Sequence, residues 1–169
     1  FSLVSKVTYI TRDEYRATVN FVHPTTPGLV QRALVNYDVE TIGWTTDVVS
    51  NPFKNFNLHL LFTLQTPQYK NYSGNVFNTN YSFDNNIVTG VSKVLTEIDP
   101  SYQWNKLRFW ASARYFSKQY ANLTNSLYFK GRWETFAGIN FTLNKSVEFN
   151  VNAVNLLNQR GAQGSISGT

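Results

Sequence analysis

The sequence predicts an all-β protein: an antiparallel, up-and-down transmembrane β-barrel fragment of about seven long strands. Three observations predict it. Apolar and polar residues alternate with a period of two over most of the 169 residues, and a strand places successive side chains on opposite faces. The runs are long. Leu127 to Leu143 alternates over 17 residues, where a soluble strand averages about five or six. The connections alternate between tight polar turns and long polar links, as the two rims of an outer-membrane barrel do.

From 1 to 21, Phe1, Leu3, Val7, Tyr9, Tyr15, Ala17, Val19 and Phe21 are odd, while Lys6, Arg12, Glu14 and Arg16 are even. Thr11-Arg12-Asp13-Glu14 looks like a turn, yet the parity is the same on both sides. One long strand is therefore preferred to a hairpin. Residues 23–34 contain Pro24, Pro27 and Gly28 and read as a loop. A second strand covers 35–50. Its apolar residues move from odd positions (Val35, Tyr37, Val39) to even ones (Ile42, Trp44, Val48), which predicts a bulge near Thr41.

After a turn at 51–54, Phe56, Leu58, Leu60, Phe62 and Leu64 share one face of a third strand. Residues 66–86, rich in Asn, Tyr and Ser, read as a large loop. A fourth strand is expected over 87–104, with Pro100 near a strand end or bulge because it cannot donate to the ladder. Asn105-Lys106 turns into a fifth, where Leu107, Phe109, Ala111, Ala113 and Tyr115 oppose Arg108, Ser112 and Arg114. A polar loop at 121–126 leads to the strand over 127–143. Asn144-Lys145 closes a hairpin with the last strand, over 147–157. The stretch 158–169 is polar and Gly-rich, with no further strand.

The chain is 42% hydrophobic and 16% aromatic, with mean hydropathy −0.30. It contains no apolar run of the ~18 residues that a membrane helix requires. A barrel strand needs only about 9–11 alternating residues, so a hydrophilic average is compatible with a membrane wall. With no cysteine there is no disulfide framework and no thiolate metal site. The net charge of +5 is scattered along alternating strands, which disfavours nucleic acid as a partner. A chain starting at Phe1 without Met or signal peptide implies, on the membrane reading, a piece of a longer precursor.

Arg or Lys at mid-depth on a lipid face costs roughly 2–4 kcal/mol. Here Arg108, Arg114, Lys130, Arg132, Glu134, Glu97 and Glu148 all fall on the face opposite the apolar set, as does His59. A soluble β-sandwich that binds carbohydrate remains an alternative, though its outer face would be polar and its strands shorter.

The run GRWETFAGINFTLNKSVEFNVNAVNLLNQRGAQG resembles the end of TonB-dependent outer-membrane receptors. In that family a hairpin precedes a strand ending in Asn-Leu-Phe-Asn or a variant, here Asn155-Leu156-Leu157-Asn158. The run Gln159 to Gly164 and the segment WASARYFSKQY at 110–120 are similar to receptors of the Bacteroidetes type. The resemblance implies that 1–169 is a C-terminal part of a single barrel domain of about 22 strands. It lacks the plug, the energy-coupling segment and the final strand. It further implies TonB-dependent active import of a glycan, peptide or metal chelate across the outer membrane. The implied partners are membrane lipid, the rest of the barrel and plug, a TonB-type energy-coupling complex and a surface substrate-binding lipoprotein. A passive porin or other large outer-membrane barrel is the alternative.

No catalytic site, cofactor or metal site is nominated, and no enzyme activity is expected. Glu97 and Asp99 could be a general acid and base, but with Lys93, Arg108 and Arg114 nearby an interior ion-pair network is the simpler reading. His59 reads as a satisfied polar residue and not a ligand. Tyr69, Tyr72, Phe77, Tyr81 and Phe83 crowd the longest loop and are the candidate substrate contacts, with packing of the loops on one another as the alternative. His59, Arg108, Arg114, Lys130, Arg132 and Glu134 are expected to face the lumen and plug. Tyr102, Trp104 and Phe141 suit an interfacial aromatic girdle.

Overall fold

The computed structural model describes residues 1–23 and 25–159. Pro24, and the family-like run and expected strandless tail beyond Gln159, lie outside the described residues. Eleven strands are present and no helix, among the described residues. They are β1 (Ser2–Val22), β2 (Val30–Ser50), β3 (Phe56–Lys70), β4 (Ser73–Val76), β5 (Thr79–Ser82), β6 (Val94–Trp104), β7 (Leu107–Phe116), β8 (Gln119–Tyr120), β9 (Tyr128–Phe129), β10 (Arg132–Asn144) and β11 (Val147–Val154).

Seven of them form one antiparallel meander in the order β1-β2-β3-β6-β7-β10-β11. The expected up-and-down wall is therefore present. Hairpins β4–β5 and β8–β9 sit in the two longest links. Short turns join β2 to β3, β6 to β7 and β10 to β11 at one rim, and all longer links lie at the other. Asn55 and Asn105 take φ of 65° and 52° in two of the short turns, a left-handed conformation that asparagine tolerates better than most residues.

The two faces of the sheet differ. One row of paired residues runs Leu3, Val48, Leu60, Ile98, Ala113, Thr135. The adjacent row, on the opposite face, runs Val4, Asp47, Leu61, Glu97, Arg114, Glu134. We call these the belt face and the charged face. Trp104 is 58% exposed and Val151 71%, and Tyr9, Ile42, Trp44, Phe109 and Ile139 on the same belt face are exposed as well. So continuous an apolar surface marks a face that meets a partner or a membrane.

At the long-loop rim the pattern inverts. Above Thr41 the apolar residues Val39, Tyr37, Val35 and Ala33 of β2 lie on the charged face. They pack there with Val19, Phe21, Tyr69, Tyr72, Phe83, Val88 and Leu123. The predicted bulge at Thr41 is absent, since β2 and β3 stay in register from Asp38↔Lys70 to Ser50↔Leu58. The change of parity marks a change of surroundings: β2 runs straight and exchanges the face that is covered. The bulge lies in β1, where the register shifts between Arg12 and Tyr15. Two residues, Asp13 and Glu14, oppose Asp38 alone. Glu14 takes φ of 60° and its N–H donates to Asp38 Oδ1 at 2.8 Å. This extra residue carries the odd apolar set of β1 from the belt face to the charged face. One strand, as expected, thus hides a switch of face.

Other boundaries differ from expectation. β2 begins at Val30, inside the expected loop, and β3 runs through Pro67 to Lys70. β6 begins at Val94, while Ile87 makes only an isolated bridge to Gln68. Tyr128 and Phe129 pair with Tyr120 and Gln119 in the loop, so the expected 17-residue run starts at Arg132. Pro100 lies within β6, where the ladder to β7 is interrupted between Ile98↔Ala113 and Ser101↔Trp110. β11 ends at Val154. Beyond it Asn155 and Asn158 take left-handed φ of 55° and 49°. Asn155 Oδ1 accepts the Gln159 N–H at 2.8 Å, and Gln159 Oε1 accepts that of Trp133 at 2.9 Å. The Asn-Leu-Leu-Asn motif is thus a turn that stitches the chain back to β10.

Candidate functional site

Two assemblies carry the polar chemistry: the charged face of the wall and a cap at the long-loop rim. Cross-strand pairing builds the first, because directly opposed residues share a face. His59 lies between two carboxylates, with Nε2 3.2 Å from Asp47 Oδ1 and Nδ1 3.1 Å from Asp99 Oδ2. Both contacts are hydrogen bonds only when both ring nitrogens carry protons. Arg114 binds Glu97 at 2.9 Å through Nη2 and also through Nε. Lys93 and Arg108 take no part in these pairs.

Arg132 is the most enclosed of these cations. It holds Glu134 Oε1 at 3.2 Å and Gln119 Oε1 at 3.1 Å, and its guanidinium lies 4.4 Å from the centre of the Phe116 ring. It therefore ties β10 to the loop strand β8. Lys130 lies in the link between β9 and β10, exposed and off the wall.

The cap is an aromatic stack. Tyr72 is 1% exposed. Its ring stacks on Tyr37 at 4.7 Å and meets Tyr69 and Phe83 edge-on at 5.2 Å. Burial pushes the Tyr72 phenol well above its ordinary value, with the nearby Tyr69 phenol adding to the shift. Tyr81 packs on Phe21 at 4.6 Å, and Phe77 on His23 at 4.6 Å. Thus hairpin β4–β5 is locked to the β1–β2 rim. The segment after this hairpin is bound to the link between β7 and β10: Asn125 Oδ1 accepts the Ile87 N–H at 2.7 Å, and Asn86 Nδ2 donates to Leu123 O at 2.8 Å.

The five aromatic candidates therefore separate. Tyr69 and Tyr72 are buried in the cap core, and Phe77, Tyr81 and Phe83 remain partly exposed. For Tyr69 and Tyr72 the structure favours packing of loops on one another. Sequence reading missed Phe21, His23, Tyr37 and Asp38 as members of the cap. For Tyr37 and Asp38 the signal was the parity change at Thr41, which marks where the cap begins; β1 keeps its parity and gives no such signal for Phe21 and His23. It also missed Asp47 beside His59, and Trp110, whose indole lies across Gly138.

Comparison with known proteins bears on this arrangement. No family profile and no curated protein matches the sequence. Among solved structures, the siderophore receptor PiuA from Acinetobacter baumannii superposes on 94% of this chain with a TM-score of 0.68 at 16% identity. BauA, the ferric preacinetobactin receptor from Acinetobacter baumannii, superposes on 93% with a TM-score of 0.54 at 19% identity. The chain spans 22% and 23% of the lengths of those two proteins. At such identity the likeness is one of fold: this seven-stranded wall has the architecture of part of a receptor barrel.

Proposed function

We propose that this chain is a wall segment of a TonB-dependent receptor in the bacterial outer membrane, importing a substrate by active transport. The carrying observation is the belt face. Exposed apolar side chains run across all seven wall strands and give way, at Ile42 and Tyr9, to a zone where the opposite face is covered instead. Lipid is the surrounding that suits an apolar outer belt over a charged interior. The cap then lies outside the cell, leaning over the mouth of the lumen, and the short turns lie in the periplasm.

Among the described residues, neither β1 nor β11 has a second neighbour in the sheet. In hydrocarbon each unpaired backbone group costs several kcal/mol. Further strands must cover both edges, in keeping with the fraction of the similar receptors that the chain spans. On this reading the charged face meets a plug, a TonB-type complex supplies energy, and a surface lipoprotein is a candidate partner for the cap. Phe77, Tyr81 and Phe83 are proposed substrate contacts. The segment acts by enclosing and selecting, without catalysing a reaction.

The test uses the full-length gene product in its native host. Fractionation should place it in the outer membrane, and deletion should abolish uptake of its substrate. Uptake should also require the proton-motive force. Energy-independent diffusion through the same protein would show a passive porin instead, and recovery in the soluble fraction would restore the sandwich.

A further inference from the structure

Trp110 lies on the charged face of β7, opposite Gly138 of β10. A methyl group at Gly138 would stand 2.6 Å from both Cε2 and Nε1 of the indole. Only glycine lets the ring lie flat against the wall. The indole N–H donates to Asn140 Oδ1 at 3.2 Å, which fixes the tilt. Asn140 pairs with Asn150, and Gly138 with Asn152. A plate is thus bordered by three amides on one side. On the other side Trp110 lines a shallow cavity together with Ser101, Arg108 and Ser112.

We propose that Trp110, laid over Gly138 and edged by Asn140, Asn150 and Asn152, is a stacking subsite for the sugar rings of a carbohydrate passing through the lumen. This rests on the transport reading above. The electron-rich face of an indole attracts the weakly positive C–H face of a sugar ring. Each amide offers both a donor and an acceptor, as a hydroxyl requires. The wall carboxylates Asp47, Asp99, Glu97 and Glu134 stand among His59, Arg114 and Arg132, and Arg108 lines the same cavity as Trp110, so charges of both signs are interspersed and neither sign dominates the wall. The cap agrees: residues 71–92 carry one charged side chain, Asp84, whose Oδ1 accepts the Tyr72 N–H at 2.7 Å.

The experiment follows import of fluorescently labelled neutral oligosaccharides (glucans, mannans and xylans) and of ferric chelates into the native host carrying the full-length protein. One oligosaccharide is expected to enter in a receptor-dependent way. Trp110→Ala should then slow its import about tenfold per receptor at the cell surface, the scale of one lost ring stack, with surface binding unchanged. Trp110→Phe, which keeps a ring, should retain most of the rate and also controls for assembly. Gly138→Ala, which pushes the indole off the wall, should fall between them. An unchanged rate per receptor in Trp110→Ala overturns the subsite, as does equal loss in Trp110→Ala and Trp110→Phe. Import of ferric chelates alone overturns the carbohydrate assignment and leaves the transporter standing. Gene deletion without effect on any oligosaccharide also overturns the carbohydrate assignment, while the transport reading stands or falls separately on fractionation and on the dependence of uptake on the proton-motive force.

Discussion

The lower wall and the upper rim of this sheet use the same strands in opposite ways. In the lower wall the side chains of Leu60, Ile98 and Ala113 are apolar on the belt face, and the opposite face carries Asp47, His59, Glu97 and Arg114. At the rim, Val35 and Tyr37 of β2 and Ala17 and Val19 of β1 turn the apolar set to the charged face, under the Tyr72 stack. The two strands make the switch differently. β2 changes the parity of its sequence and stays straight, whereas β1 keeps its parity and inserts a bulge. An alternating sequence therefore reports which face is covered, and by what, only together with the register.

Substitutions and pH changes should break or sharpen this contrast. The largest effect falls at the cap core. Tyr72→Ala in the full-length protein should cost about 3–5 kcal/mol of local stability, as for other large buried aromatics. Hydrogen exchange should rise across 71–92 while the wall strands stay protected. Loss of protection in β7 and β10 as well would mean that rim and wall are one cooperative unit. Because Tyr72 is core, replacing Tyr72, Phe77 and Tyr81 together would confuse folding with binding. Phe77→Ala with Tyr81→Ala is the cleaner variant, and weakened binding on intact cells is the expected result.

Next comes charge on the belt face at two heights. Leu60→Arg should cost roughly 2–4 kcal/mol in a lipid-refolding titration. Leu34→Arg, on the same face but above the switch, should stay within about 0.5 kcal/mol. Equal costs would place both positions in one medium and remove the proposed membrane boundary. Ser112 is a poor control on the charged face because it is buried; Asn150→Arg, exposed on that face, should be tolerated.

The smallest effect concerns the bulge. The Glu14 N–H and the Asn71 side chain hold the Asp38 carboxyl below its ordinary value of 3.8. A lowered folded-state value means that the stabilisation is present above about pH 4 and is lost as pH falls below it. The protection of the Glu14 amide, relative to an unstructured amide at the same pH, should therefore fall on acidification below pH 4. Asp38→Asn should show the lower protection already at neutral pH and lose that pH dependence. The Tyr72 phenol gives the opposite sign, since its value is raised. Its contribution is complete below about pH 10 and fades above it, so the cap should loosen in alkali before the wall does.

The sequence by itself determined the wall. Alternation in 56–64, 107–115 and 132–143 is local, and a period of two leaves one way to sort side chains between an apolar and a polar face. The turns at Asn105 and Lys145 were legible for the same reason, being short and chemically specific. Tertiary structure decided the rim. Whether Tyr69 and Tyr72 meet substrate or one another depends on hairpin β4–β5 folding back onto β1 and β2, through contacts distant in the chain such as Phe21–Tyr81 and Tyr37–Tyr72. No local pattern encodes that contact. The same holds for Asp47 beside His59, for Gln119 under Arg132 and for Gly138 beneath Trp110: each pair lies on different strands, and only the register brings it together. Periodicity reports the solvent that a face meets, and it is silent on which neighbour stands across the ladder.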